Sequence, residues 1–277
     1  MKIHESYRRR AHRRRLLYSL EDTGNIDHSP GGSPPRNECG DHRHGVVNEG
    51  SVAPEAGDET LPLTSIKLAT WNINHITSKR AEVELMMRKT GVDVLALQET
   101  GRHQNLWPLR LKGFNIIESL ASNRSLGQHG LATCIRGNIA VHDMGNSSPY
   151  LVHSQLRVGP HEWDIVNVYL PHNRGESRRL ALADLRATLT GILNKNVDCK
   201  ALVLGDFNTK ESHLNKMLAR WRLPFRVVIP VGNPATRLAT PGRTWSSIDH
   251  VVSSAAAEPY VKRPRVNRTW DLSDHWP

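Results

Sequence analysis

Two packed β-sheets with helices outside, an α+β layered domain spanning residues 64–277, is the fold that the sequence predicts. Three observations carry this. Short β-rich runs recur from Ile66 onward, helical patterns are few, and two nearly continuous apolar runs, VDVLALQ (92–98) and ALVLGD (201–206), have the texture of strands buried on both faces. A domain of about 214 residues buries a proper core without disulfides or metals as staples.

The elements follow in order. IKLATW (66–71) alternates and is rich in β-formers, so it reads as a strand. Lys79–Thr90 reads as a helix stopped by Gly91, whose backbone freedom suits a helix end. The strand 92–98 comes next, followed by short strands at 114–118, 130–135, 138–142, 150–157 and 163–169. Residues 176–194 form the clearest helix: Leu182, Leu185, Leu189, Ile192 and Leu193 fall on one stripe at three- and four-residue spacing. ALVLGD (201–206) and TWSSIDHVV (244–252) complete the set of strands.

The first 63 residues differ in kind. Residues 1–22 form an Arg-rich arm, with Arg8–Arg10 and Arg13–Arg15, of the type that serves in nuclear import or phosphate binding; a leader without function has the same look. Residues 23–63 are rich in Gly, Pro, Asn and acidic side chains and nearly lack large apolar ones, which predicts disorder. Residues 1–63 together are almost neutral, with 9 basic and 10 acidic residues, whereas residues 64–277 hold 28 and 17, a net of +11. A basic domain points to a polyanionic partner, nucleic acid above all, against the alternative of a merely solubilising surface. No charge-free run of 18 apolar residues occurs, which predicts no membrane-spanning helix, and no secretory signal is visible at the N-terminus. Cys39, Cys134 and Cys199 lie far apart, so neither a disulfide framework nor a cysteine zinc site is expected; an intracellular, nuclear protein is.

Polar groups gather where the strand-like runs end. They are Asn72 and Asn74 in TWNIN, Glu99 in LALQET, Asp206 and Asn208 in LGDFN, Asp249 and His250 in SSIDHV, and Asp274 and His275 in LSDH. Singly, each has a plain structural reading as a turn, a cap or a surface hydrogen bond. As a set, four carboxylates, several amides and a histidine suit Mg²⁺, which prefers carboxylate and water oxygens and leaves room for a substrate phosphate. Beside a basic surface that chemistry is phosphodiester hydrolysis, with a carboxylate activating water and an Asp-held His stabilising the phosphorane. Without HxxH or Cys/His spacing, zinc fits less well.

TWNIN, LQET, NVYLP, LGDFN, SSIDHV and LSDH, in that order over residues 66–276, resemble the endonuclease/exonuclease/phosphatase superfamily. The resemblance implies a four-layered α/β sandwich, with two mixed sheets face to face and helices outside. It implies Glu99 as principal metal ligand, with Asn74 nearby and Asp274 assisting, and Mg²⁺ (or Mn²⁺) as the ion. Asp206 would activate the attacking water, positioned by Asn72. Asn208 would hold the phosphate, Tyr169 would lie near it, and His275, oriented by Asp249, would contact it. His250 should point to the other face of its strand, outside the site. Two departures stand out. After NVYLP this chain has His172 and then Asn173 where nucleases of the group often carry Asn at once. The chain also stops at Pro277, where relatives usually continue with apolar residues, so Asp274 and His275 are expected to be weakly held, as in a domain cut from a larger element.

DNA is the expected substrate. The +11 charge, the absence of membrane or inositol-recognition insertions, and basic residues near the site loops favour it: Arg174, Arg178 and Arg179, then Lys210 and Arg222, with Lys216, Arg220, Lys262, Arg263, Arg265 and Arg268 close by in sequence. The motif spacing resembles LINE-type retrotransposon endonucleases, which nick one strand and leave a 3′-hydroxyl that primes a reverse transcriptase, here absent. Abasic-site endonucleases, the alternative, typically carry a bulky residue three before the Asp of the ID motif, where this chain has Ser246. A DNA-binding remnant without turnover is the reading of another class. Trp71 and Trp163 read as core, while Trp107 and Trp221 sit in polar surroundings where contact with DNA is an option.

Overall fold

Alternation along the strands builds the layers. The computed structural model describes residues 65–103, 106–121, 130–145, 148–232, 234–237 and 245–277, all within one compact unit, Glu59–Pro277. The Arg-rich arm and acidic tail (1–63) lie outside the described residues. In β2 (Val94–Gln98), Leu95 and Leu97 pack with Val83, Met86 and Met87 of helix α1 (Arg80–Thr90). The intervening Val94 and Ala96 pack instead with Ile165 of β7 (His161–Tyr169) and with Leu202 and Leu204 of β8 (Lys200–Asp206). On β8 the parity continues: Ala201 and Val203 meet Leu185 and Leu189 of α2 (Glu176–Lys195) and Leu214 and Leu218 of α3 (Glu211–Arg220). Period-two strands between period-3.6 helices thus give helix, sheet, sheet, helix, the four-layered sandwich.

The first sheet has the order β1-β2-β4-β3, adding β1 (Leu68–Asn72), β3 (Phe114–Ser119) and β4 (Leu131–Arg136). The second runs β5-β6-β7-β8-β10-β9, with β5 (Val141–Asp143), β6 (Leu151–Val158), β9 (Phe225–Val227) and β10 (Asp249–Ser254). Each sheet is mixed. β1 runs parallel to β2 and β7 to β8, and the other pairs are antiparallel. A parallel pair needs a crossover; α1 supplies one and α2 the other.

A buried polar clasp joins the sheets. Gln98 and Asn167 are both fully buried, and the Gln98 amide donates to Asn167 Oδ1 at 2.8 Å. The Asn167 amide donates to the carbonyls of Leu97 and Ala132, each at 3.1 Å. At the Asp206 end of β8, Gly205 is required: a Cβ there would lie 1.9 Å from the Val168 carbonyl oxygen.

Some boundaries differ from expectation. The expected strand at 244–252 pairs only from Asp249, because Ser246 O instead accepts the amides of Thr236 and Arg237, while Thr236 Oγ1 takes those of Ile248 and Asp249. The expected strand at 138–142 shrinks to Val141–Asp143. Helix α3 and the short β9 were not anticipated, although Leu214, Met217, Leu218 and Trp221 carry helical spacing and pack into the core. Trp221 is therefore a packing residue, as are Trp71 and Trp163, whereas Trp107 is 90% exposed.

Candidate active site

Register brings the site together. The carboxyl ends of both parallel pairs reach the same lip, as Asn72 pairs with Gln98 and Tyr169 with Asp206. β10 runs the other way, so its first residue, Asp249, lies opposite Asp206. Residues paired directly across a ladder share a face. Tyr169, Asp206 and Asp249 therefore form a row facing the first sheet. Just past the strand ends the backbone turns left-handed at three of the expected residues: Asn74 (φ 45°), Glu99 (φ 50°) and Asn208 (φ 45°). Such conformations in non-glycine residues cost about 1–3 kcal/mol each and cluster where a side chain must be aimed.

Asp206 is the hub. Its Oδ2 accepts the amides of Asn72 at 3.0 Å and Asn208 at 3.1 Å, and its Oδ1 accepts the Asn208 backbone N–H at 2.8 Å. His275 Nε2 lies 4.0 Å from Oδ2, and His275 Nδ1 bonds Asp249 Oδ2 at 2.9 Å. All three side chains are buried. Burial pushes the Asp206 carboxyl up to about 7, and the Asp249 charge adds to the push against the pull of His275, Asn72 and Asn208. For His275, burial opposes the charge, but the Asp249 carboxylate, then Asp206 and Asp274, hold the imidazolium and raise its pKa to about 9.

The expected weakness at the C-terminal end is corrected. Trp71 Nε1 donates to the His275 carbonyl at 2.9 Å, the Trp276 amide donates to Thr236 O at 2.8 Å, and Asn267 N donates to Pro277 O at 2.7 Å. His275 is held from three sides. His250 points the other way, with its ring against Phe207 and Nε2 on Thr209 O at 2.8 Å.

Glu99 is half-buried at the lip, and the Tyr169 hydroxyl donates to its carboxylate. Burial, then this carboxylate, drives the Tyr169 pKa up. The Asp274 carboxylate, however, pairs with Arg237 Nε at 3.1 Å, and Asn74 is exposed with Oδ1 on His75 Nδ1 at 3.0 Å. Asp274 is thus engaged by Arg237, and Asn74 by its neighbour His75. Among the described residues, the group whose donor atoms lie within 4.8 Å of one another is Asp206, Asp249 and His275. A cationic His275 bound to Asp249 is a poor ligand, so that trio suits proton transfer and charge stabilisation. Mg²⁺ needs only one or two carboxylates and keeps several waters. Glu99, a carboxylate at the lip beside a tyrosine, fits it.

The expected DNA contacts divide. Arg174 and Lys210 are exposed on the loops after β7 and β8. Arg178 is turned inward, donating to the carbonyls of Pro171 at 2.6 Å and Phe207 at 3.3 Å, so it braces the lip. Arg179 is exposed and pairs with Glu176. Arg222 is misplaced. It lies two residues past α3 and three before Phe225, which pairs with Ser254 at the far end of β10, ~17 Å from Asp249 at ~3.3 Å per residue. His172 and Asn173 are both exposed, and neither bonds the Asp206 hub among the described residues. Missed altogether were Gln98, Asn167, Thr236 and Arg237. The first two showed only as polar letters inside LALQET and NVYLP.

A profile described as the Endonuclease/Exonuclease/phosphatase family matches residues 69–275. Solved structures similar in fold include the endonuclease domain of TRAS1, a telomere-specific non-LTR retrotransposon, at 15% identity with a TM-score of 0.59, covering 76% of this chain and 94% of that one. The AP endonuclease LMAP from Leishmania major is 15% identical with a TM-score of 0.64, over 76% and 85% of the two chains. The 3′-5′ exonuclease NExo from Neisseria meningitidis is 19% identical with a TM-score of 0.59, over 76% and 97%. At such identities the likeness is one of fold.

Proposed function

The chain belongs to the Endonuclease/Exonuclease/phosphatase family, and from that premise we propose that it hydrolyses the DNA backbone with a divalent cation, nicking one strand and leaving a 3′-hydroxyl in the manner of a retrotransposon endonuclease. The observation that carries this is the buried Asp206, held by two amides and facing a His275–Asp249 pair, on a domain of net +11.

Asp206 takes a proton from the attacking water, which a carboxyl with a pKa near 7 does at neutral pH. Asn72 fixes the carboxylate, and Asn208 fixes it and borders the phosphate. The His275 imidazolium, oriented by Asp249, stabilises charge on the phosphorane. Tyr169 stands beside the phosphate and steadies Glu99. Glu99 would hold the cation, helped by Asn74 and Asp274. The chemistry that Mg²⁺, or Mn²⁺, supplies when bound is polarisation of a phosphoryl oxygen. Arg174 and Lys210 contact flanking phosphates, with Arg179 available at the same loop.

One feature supports the retroelement type over the abasic-site type: Ser246, a small residue strapped to Arg237, occupies the third position before Asp249. A reverse-transcriptase partner and a nuclear location go with that reading. Supercoiled plasmid with Mg²⁺ tests it. Wild type nicks, while Glu99→Ala and Asp206→Ala do not; equal nicking by the variants ends the catalytic assignment of these residues, and no nicking by wild type leaves a DNA-binding remnant. Strong preference for a duplex with an abasic site over an intact one moves the assignment to repair.

A further inference from the structure

We propose that His75 lends its Nε2 to the divalent cation at Glu99, so that the enzyme takes Mn²⁺ in preference to Mg²⁺. The proposal rests on the nuclease reading and adds the identity of the ion to it.

His75 holds a backbone conformation that its side chain disfavours. It is the second of two consecutive left-handed residues, at φ 68° after Asn74 at φ 45°. A glycine adopts that backbone without the cost of about 1–3 kcal/mol that a larger residue incurs. The turn is zipped to the segment that carries Glu99: the His75 amide donates to the Glu99 carbonyl at 2.8 Å, and the Ile76 amide to that of Thr100 at 3.0 Å. The ring is fixed as well. It lies over Gly101, where a Cβ would come within 2.4 Å of its Cδ2. Its Nδ1 is 3.0 Å from Asn74 Oδ1. An amide oxygen only accepts, so Nδ1 carries the hydrogen and the neutral ring keeps its lone pair on Nε2.

Burial does not explain a histidine here, since His75 is exposed. Its tautomer points to a use. A histidine that binds a metal donates its other ring N–H to an oxygen, which fixes the ring and strengthens the ligand. Here that oxygen belongs to Asn74, and the main chain joins His75 to Glu99. His275, a cation held by Asp249, has no lone pair to give, and His250 spends its Nε2 on Thr209 O. An all-oxygen shell suits Mg²⁺. One nitrogen in that shell shifts the balance to transition ions, among which Mn²⁺ keeps the preference for carboxylate and water.

The test is metal binding by the full chain without DNA, followed by the EPR signal of free Mn²⁺ and by competition with Mg²⁺. Wild type should hold Mn²⁺ about tenfold more tightly than Mg²⁺, and pulsed EPR of the bound ion should show coupling to an imidazole ¹⁴N. His75→Gly should lower the Mn²⁺ affinity about tenfold, leave that for Mg²⁺ unchanged and erase the ¹⁴N coupling, with a melting temperature no lower than that of wild type. His75→Asn, which tolerates the same backbone, should lose the coupling too. No ¹⁴N coupling in wild type, or an undiminished one in His75→Gly, overturns the ligand while leaving Glu99 and the nuclease reading intact. Mn²⁺ binding that Glu99→Ala does not weaken removes the cation site, and the proposal with it.

Discussion

The Asn72 amide of the first sheet donates to the Asp206 carboxylate of the second at 3.0 Å. Removing a hydrogen bond to a buried charged group costs about 1.5–3 kcal/mol, and this one stabilises the ionised carboxylate. Asn72→Ala should therefore move the acid limb of the pH profile of kcat/KM upward by about one unit. An unmoved limb would detach Asp206 from the titration.

Asp249 holds His275 as a cation. Asp249→Asn removes the largest attraction and leaves burial opposed only by Asp206 and Asp274, so the alkaline limb should fall from about 9 toward the ordinary 6.5. An alkaline limb that stays put would show that another group titrates there.

Stability in metal-free buffer should fall with rising pH. His275 is raised from 6.5 to about 9, so its contribution is complete below 6.5 and lost on the way to about 9. Asp206, raised from 3.8 to about 7, also binds its proton more tightly when folded, and loses its contribution between those values. Urea midpoints at pH 5.5 and 9.5 should differ in that sense, and His275→Asn should flatten the upper part.

The clasp between the sheets gives a thermodynamic prediction. Asn167→Ala removes one acceptor of the Gln98 amide and the side-chain donor to two buried carbonyls, so unfolding by urea should reveal a loss of about 3–5 kcal/mol. A change under 1 kcal/mol would mean that water replaces the amide.

Charge reversal should distinguish the basic residues. Arg174→Glu and Lys210→Glu should weaken DNA binding and lower the salt slope by about 1 each. Arg222→Glu, at the opposite end of the sheet, should leave both unchanged.

Much of this was legible in the sequence for a physical reason. VLALQ and KALVLGD announce central strands because burial on both faces forces uninterrupted apolar letters, and polar residues closing such runs land on one rim. What stayed hidden depends on partners distant in sequence. Nothing near Asp274 reveals that Arg237 occupies it, and nothing near Arg222 reveals that the chain past α3 leads to the far end of β10. The secure seat of His275 was hidden as well, because Trp71, which grips its carbonyl, stands at the other end of the domain.

The two sheets are encoded one after the other, Leu68–Arg136 and then Val141–Ser254, yet Trp71 of the first strand grips His275. That one bond closes the described domain like the clasp of a ring, so the C-terminal segment cannot peel away without first parting the indole from its carbonyl.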